Sequence, residues 1–417
     1  MSNESARQSQ IAGAAIMARI GALAAFSDDP SCLTRLTLSL AHRGAAGLVL
    51  QWMREAGMQA HVDAAGNAVG RYEAANADAK TLLIGSHIDT VRNAGRFDGN
   101  LGVIAGIAIV DELNRLEHRL PCALEIIAFS DEEGSRFAST LSGSRALAGA
   151  FDASCLDDAD GDGVTRRAAL AAFGGDGALC GGLARDPART LAYLEVHIEQ
   201  GPVLEARNLP LGIVTAINGA TRGEVIVAGE AGHAGTLPMD MRRDALAAAA
   251  EMILAIEARA KRGADFVATV GRIEIPNAAV NIVPGEARFS LDLRSASDDA
   301  RSNALADIET DIARIASSRN VGARFTPSHG MPAAPCDPRI MDAMERVFRA
   351  RGYEPFRLAS GAGHDAMSFR GRIPIGMIFV RCRGGISHHP SEFASAADCE
   401  AASRVLFDLV KDFGALA

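Results

Sequence analysis

The sequence predicts an α/β fold, a mostly parallel sheet covered by helices, interrupted by an inserted α+β unit of ferredoxin-like order. Three observations predict it. Apolar runs of strand length alternate with helix-length segments before about residue 212 and again after about 330, as β-α-β units require. Between those limits the rhythm changes to β-α-β-β-α-β. The chain has 417 residues, more than one hydrophobic core usually organises, so two domains are expected. The boundaries read as a discontinuous outer domain, 1–212 with 330–417, and an inserted domain, 213–329.

Residues 5–57 read as helices, with apolar residues at helical spacing in Ile11–Phe26 and Gly47–Ala56. Met58–Tyr72 alternates around Ala64-Ala65-Gly66-Asn67, the pattern of two strands and a turn. Thr81-Leu82-Leu83-Ile84 is short and wholly apolar, as a buried parallel strand over 81–86 would be, and it ends at Gly85. Leu101–His118 reads as a helix stopped by Pro121, and Ala123–Phe129 as a second buried strand. A mixed helix-and-loop region, 140–190, leads to a strand at 191–196.

In the insert, Gly223–Ala228 reads as a strand, and Asp240 as the N-cap of an Ala-rich helix reaching about Arg262. Phe266–Ile275 and Asn281–Arg294 read as neighbouring strands, Asp298–Ser318 as a helix and Val321–Phe325 as the last strand. The outer domain resumes with helix 338–351, strand 374–380 and helix 396–413.

Composition removes several classes of function. The net charge of −9 is opposite to what a nucleic-acid-binding face needs. No apolar stretch reaches the roughly 18 residues of a membrane span, and Met1–Gln10 lacks the apolar core of a secretory signal. Seven cysteines without a Cys-x-x-Cys pair point to reduced thiols and a cytoplasmic location.

The chemistry gathers where expected strands end, which is where ligand crevices lie in open α/β sheets. His87 and Asp89 follow the first buried strand, with Asp98 in the Phe97-Asp98-Gly99-Asn100 turn behind them. Asp131-Glu132-Glu133 follows the second strand. Three adjacent acids usually form a solvated loop, but beside a buried strand like charges repel unless a cation or proton resolves them. His197 and Glu199 follow the third strand, and Ser387-His388-His389-Pro390 follows the fourth. Each cluster alone is weak, since a lone histidine is more often an ordinary core or surface residue. Their recurrence at four strand ends is a joint signal for a metal site.

Two look-alikes fail. Asp158-x-Asp160-x-Asp162-Gly163 starts like a calcium loop but has Ala169 where a Glu is needed. Gly361-x-Gly363-x-x-Ala366 lacks the strand-turn-helix setting of a dinucleotide site.

Gly85-Ser86-His87-Ile88-Asp89-Thr90-Val91, Asp131-Glu132-Glu133-Gly134-Ser135-Arg136-Phe137, Val196-His197-Ile198-Glu199-Gln200-Gly201-Pro202, His233-Ala234-Gly235-Thr236 and Ile386-Ser387-His388-His389-Pro390-Ser391-Glu392 resemble the amidase branch of the M20 metallopeptidase family. The resemblance runs in order from about residue 15 to 410. That branch holds allantoate amidohydrolases, N-carbamoyl-L-amino-acid hydrolases, β-ureidopropionases and ureidoglycolate amidohydrolases.

The resemblance implies two divalent metal ions per subunit, with His87 and His197 on one, Glu133 and His388 on the other, and Asp98 bridging. Such a pair activates a water and polarises the scissile carbonyl. His and carboxylate donors without Cys suit Zn²⁺, Mn²⁺ or Co²⁺, and spacing does not choose among them. Glu132 resembles the general base and Asp89 the acid that orients His87. Arg294 resembles the residue that grips the substrate carboxylate, and Gln200, Asn281, Gly361, Gly363 and His364 match companion positions. The inserted domain is expected to close as a lid and to form a homodimer, lending His233 to the neighbouring subunit's oxyanion. Gly232 and Leu237 depart from the carbamoylase pattern and leave the catalytic set untouched.

The resemblance thus implies a metal-dependent amidohydrolase cleaving a ureido C–N bond of a small carboxylate. Allantoate is the first choice, giving ammonia and CO₂, because Trp52–Met58, Val91–Gly95 and Ser360–Ala366 look most like the allantoate group. N-carbamoyl-L-amino acids, ureidoglycolate and β-ureidopropionate are the alternatives. A non-catalytic metal-stabilised dimer would have no use for Glu132 beside Glu133. An NAD-dependent oxidoreductase would need a phosphate loop that the chain lacks.

Overall fold

The computed structural model describes residues 9–263 and 266–416, so the helical expectation for residues 5–8 and most of the polar start lie outside it. The described residues divide into two compact units. The first runs to Thr215 and includes Cys336–Leu358 and the chain from His364 on; the second is Ala216–Pro335 with Ala359–Gly363.

The first unit opens with helices α1 (Gly13–Ala24) and α2 (Leu40–Glu55). The second helix starts well before Gly47 because Ser39 caps it, its hydroxyl accepting from His42 N at 3.1 Å. Strands β1 (Gln59–Val62) and β2 (Ala68–Tyr72) form the expected antiparallel pair. β3 (Thr81–His87), α3 (Asn100–Arg115), β4 (Ala123–Phe129), α4 (Ser142–Leu147), α5 (Arg166–Phe173), β5 (Thr190–Ile198), α6 (Val203–Ala206) and β6 (Leu211–Ile217) follow.

The second unit holds β7 (Gly219–Ala228), β8 (Gly232–His233), α7 (Ala245–Lys261), β9 (Phe266–Thr269), β10 (Ile273–Glu274), β11 (Ile282–Val283), β12 (Glu286–Ser295), α8 (Asp298–Ser318), β13 (Gly322–Met331) and β14 (Ala334–Pro335). Asp244, not Asp240, caps α7, accepting from Ala247 N at 3.0 Å. Asp240 sits instead in the short turn Met239–Met241. The stretch expected as one strand from Asn281 is two, parted at Pro284-Gly285, where proline has no N–H to donate.

Strands β9-β12-β7-β13 lie side by side and antiparallel, the spatial order of a ferredoxin-like unit. Val225, Val227, Phe289, Leu291 and Leu293 pack on Met252, Ile256, Ile308 and Ile312 of α7 and α8, leaving the opposite sheet face uncovered by these helices. Ala359–Gly363 joins this unit through Asn218 N to Ser360 O at 2.9 Å and Arg294 Nη1 to Gly361 O at 2.7 Å.

Back in the first unit comes α9 (Pro338–Ala350); β15 (Arg357–Ser360) begins in this unit and ends in the second, and β16 (Ile375–Val380) and α10 (Ala396–Leu416) complete the chain. The sheet order is β1-β2-β4-β3-β5-β16-β6. The central strands β4, β3, β5 and β16 are parallel, and β2 and β6 flank them antiparallel. The parallel strands are buried almost throughout, as strands covered on both faces must be. Their carboxyl ends lie together, which brings distant loops to one place. Among the described residues, no helix is long and apolar enough to cross a membrane.

Candidate dinuclear metal centre

His87 ends β3 and His197 lies near the end of the adjacent parallel strand β5, so their ring centroids stand 5.8 Å apart. Asp98 reaches between them from the turn before α3. Gly99 in that turn has φ 65°, and a Cβ there would stand 2.5 Å from the His87 ring, so only glycine fits. Asp98 Oδ1 lies 3.1 Å from His197 Nε2 and 3.5 Å from His87 Nε2. Its other oxygen lies 3.4 Å from His388 Nε2, which in turn is 3.5 Å from Glu133 Oε2.

Two candidate ligand groups result, His87–Asp98–His197 and Asp98–Glu133–His388, each with ligand atoms within 4.8 Å of one another and with Asp98 common to both. Asp98 Oδ1 is buried and accepts no hydrogen bond despite its nearness to two imidazoles. A buried carboxylate oxygen left without a donor among convergent nitrogens is what a cation site requires, so the donor set fits a pair of cations sharing Asp98.

The surroundings aim these ligands. His197 Nδ1 faces the Ile198 carbonyl at 2.9 Å, and His87 Nδ1 faces the Asp89 carbonyl at 3.0 Å, leaving both Nε2 atoms toward Asp98. The Asp89 carboxylate is farther from His87, at 3.6 Å. It accepts from Thr37 Oγ1 at 2.9 Å, Glu132 N at 3.1 Å and Glu133 N at 3.3 Å, so it also shapes the acidic loop. Gln200, with a left-handed φ of 57°, donates from Nε2 to Asp98 Oδ2 at 2.8 Å. The structure thus sets Gln200 on the carboxylate expected to bridge. Its Oε1 is buried without a partner.

The three adjacent acids are resolved in different ways. Asp131 is fully buried and pairs with the buried Arg166 guanidinium, which also bonds Ser142 Oγ at 2.8 Å. Burial, with the nearby Asp98 carboxylate, pushes Glu133 up to about 7. Burial also pushes Glu132 well above the usual carboxylate range; His87 opposes this and the Glu133 and Asp365 carboxylates add to it. For Asp98 burial is overcome by the imidazoles of His197, His388 and His87, which hold it well below that range.

His364 is buried edge-on against His197, with centroids 4.4 Å apart, and Glu195 joins the two as a third close grouping of potential donors. Burial, and then the neighbouring His197, hold His364 well below the usual histidine value. Glu195 accepts from Ser86 Oγ at 3.0 Å and Tyr193 Oη at 3.1 Å.

In the second unit, β8 and β11 pair His233 with Ile282, and Ala234 N donates to Asn281 O at 2.9 Å. His233 and Asn281 are therefore neighbours, and both are exposed. Arg294 lies on the sheet face away from α7 and α8. Asp292 holds it through two bonds of 3.0 Å, and Arg222 Nε also donates to Asp292 at 3.0 Å. A cavity of about 840 Å³ on this face is lined by Arg222, Arg272, Asp292, Arg294 and Gly361. Gly363 is exposed at the end of the same segment.

Residue-level reading missed Thr37, Arg166, Glu195, Ser387 and Glu392 as parts of the centre. Ser387 and Glu392 lay inside a recognised motif without a role. Thr37 and Arg166 carry no local signal, because their partners are distant in sequence. The calcium look-alike proves self-satisfied: Asp160 accepts from Asp162 N, Val164 N and Arg136 Nε.

Known proteins resemble this chain over nearly its whole length. An N-carbamoyl-L-amino acid amidohydrolase of Geobacillus stearothermophilus is 41% identical over 96% of this chain and 98% of its own length. An allantoate deiminase of Arabidopsis thaliana is 39% identical over 95% of this chain and 81% of its own. The crystal structure of a hydantoinase/carbamoylase family amidase from Burkholderia ambifaria superposes with a TM-score of 0.88 at 36% identity, covering 95% of this chain and 96% of that one. Residues 83–412, a span that holds all five candidate ligands, match the model of peptidase family M20/M25/M40, and the chain belongs to that family.

Proposed function

We propose that this amidohydrolase cleaves the ureido group of a small carboxylate, with allantoate as its substrate and a pair of Zn²⁺ or Mn²⁺ ions, or Co²⁺, in the centre. The observation that carries the reading is the pair of ligand groups sharing buried Asp98, with Glu132 close to His87. Among the described residues, no hydrogen bond or ion pair engages the Glu132 carboxylate, so it is available to take a proton. When bound, the two cations supply charge that polarises the ureido carbonyl and acidifies water. Overall, R–NH–CO–NH₂ and one water give R–NH₂, NH₃ and CO₂.

The chain's own groups do the rest. Glu132 accepts the proton of the attacking water and returns it to the leaving nitrogen. Gln200 and Ser387 hold Asp98 by 2.8 and 2.6 Å bonds while charge changes around it. Arg294 retains N–H groups beyond those given to Asp292 and Gly361, and these receive the substrate carboxylate. His233 donates to the oxyanion of the neighbouring subunit in a homodimer formed by the inserted unit. Exposed Met239, Met241, Leu254, Val280 and Ile282 on that unit support such an interface. Seven free cysteines support a reducing, cytoplasmic setting.

N-carbamoyl-L-amino acids are the second reading, favoured by the 41% identity to the Geobacillus carbamoylase. Ammonia and amine release from allantoate, ureidoglycolate, N-carbamoyl and N-acyl amino acids, each with Mn²⁺ or Zn²⁺, decides between them. The highest kcat/KM is expected for allantoate. Preference for carbamoyl amino acids selects the second reading, and no turnover of any ureido compound by metal-loaded enzyme overturns both.

A further inference from the structure

We infer that Glu392 is a positioning residue that clamps the Asp98 turn to the His388 loop and so fixes the separation of the two metals. This rests on the dinuclear reading above and concerns a residue with no role in it. Glu392 is only 3% exposed. Its Oε1 accepts from Phe97 N at 2.7 Å and Asp98 N at 3.1 Å, so one oxygen holds the main chain of the bridging residue from beneath. Ser387 Oγ lies 3.2 Å from its Oε2 and gives its one proton to the shorter contact, Asp98 Oδ2 at 2.6 Å. The backbone and the side chain of Asp98 are therefore tied, by separate routes, to the segment that carries His388.

Two further features show that the site is built around this carboxylate. A Cβ at Gly95 would stand 2.2 Å from Glu392 Cδ and 2.3 Å from Oε1, so the absence of a side chain at 95 is what admits the acid under the turn. Phe393, the next residue, meets Phe97 edge-on with centroids 5.9 Å apart, bracing the same two segments. The N–H groups of Phe97 and Asp98 precede α3, so no helical carbonyl partner exists for them, and without Glu392 both would be buried unpaired. Outer groups that orient metal ligands typically change affinity by about 10–100-fold when removed.

The test uses the full chain loaded with Mn²⁺. Metal affinity is read by chelator competition, the pair by the spin-coupled electron paramagnetic resonance signal of two bridged Mn²⁺ ions, and integrity by melting of the metal-free forms. Glu392→Ala is expected to bind Mn²⁺ about 10–100-fold more weakly and to replace the coupled signal with that of isolated ions. Glu392→Gln, which keeps an acceptor oxygen for both N–H groups, is expected to restore the coupled signal. Should Glu392→Ala not fold, Gly95→Ala decides, since its methyl displaces the same carboxylate and is expected to reproduce the loss. A folded Glu392→Ala or Gly95→Ala variant with the parent's affinity and coupled signal overturns the clamp alone. A parent protein that never binds a coupled pair overturns the dinuclear reading and the clamp with it.

Discussion

His388 Nε2 stands 3.4 Å from Asp98 Oδ2, whereas the adjacent His389 turns to its own loop and accepts from Ser391 N at 3.1 Å. A left-handed φ of 55° at His388 separates the two rings. A non-glycine residue holds such a conformation at a cost of order 1 kcal/mol or more and keeps it where the surroundings demand it. The hydrogen bond to Asp98, with the Glu133 charge, lifts the His388 imidazole to about 9, so a cation must displace a proton to bind there. His388→Ala is expected to lose one of the two metal equivalents that saturate the parent, and His389→Ala to keep both. Elemental analysis after gel filtration checks this, and the opposite pattern would move the ligand role to His389.

Glu132→Gln is expected to retain both metals while kcat falls by about 10²–10⁴-fold, because the change removes a proton acceptor and no ligand. Its burial beside Glu133 and Asp365 makes an uncharged amide easy to accommodate, so folding is expected to be unaffected. Metal content and kcat are measured on the same preparation. A kcat within a few-fold of the parent means that another group takes the proton.

The parts of the fold that were legible are those whose signal is local. Ala123–Phe129 is buried at every position, and its run is apolar except at Glu125, which pairs with Arg185. The start of α8 was legible because Ser297 caps it and Asp298 and Asp299 occupy its first turn. The start of α2 was not, since Leu40 is 85% exposed and interrupts the apolar spacing, leaving only the cap at Ser39 as a mark. At the centre, His87, His197 and the acidic loop were legible as strand-end clusters. Thr37, which bonds Asp89 across 52 residues, and Arg166, which pairs with Asp131 across 35, are visible only once the chain has folded. Gln200, expected among the substrate-binding residues, has its amide on Asp98, a contact made across 102 residues of chain.

His42 makes the stability of the first unit depend on pH. Its Nδ1 accepts from Leu38 N at 2.8 Å, supporting the left-handed φ of Leu38, and its ring packs on Phe173 with centroids 5.0 Å apart. Burial holds the imidazole down to about 4. The unfolded chain therefore takes up this proton near 6.5 as pH falls, while the folded chain resists until about 4. The contribution is fully present above pH 6.5, declines through that window, and amounts to about 3 kcal/mol by linkage. His42→Asn keeps an acceptor for Leu38 N and does not titrate. Urea midpoints at pH 7.5 and 5 are expected to fall more steeply for the parent than for His42→Asn, and equal slopes would assign the acid sensitivity to other groups.

Among the described residues the His233 ring makes only a local hydrogen bond, its Nδ1 accepting from Gly235 N at 3.1 Å, and the residue is exposed beside Asn281 and the fully exposed Val280. An exposed imidazole on a small ribbon amid exposed apolar side chains suits the entry into a neighbouring subunit proposed above. There it would donate to the oxyanion formed as water attacks the ureido carbonyl, a contribution worth roughly 3 kcal/mol for one donor. His233→Ala alone and Glu132→Gln alone are each expected to be nearly inactive. Mixing them under subunit exchange creates heterodimers in which the site with intact Glu132 receives His233 from the Glu132→Gln partner. The second site of that heterodimer lacks both groups, and half of a random mixture stays homodimeric, so recovery is expected to approach about one quarter of parental activity. Differently tagged subunits establish that heterodimers have formed. Proven heterodimers without recovered turnover would falsify action in trans and leave His233 to its own subunit or to no part in the reaction.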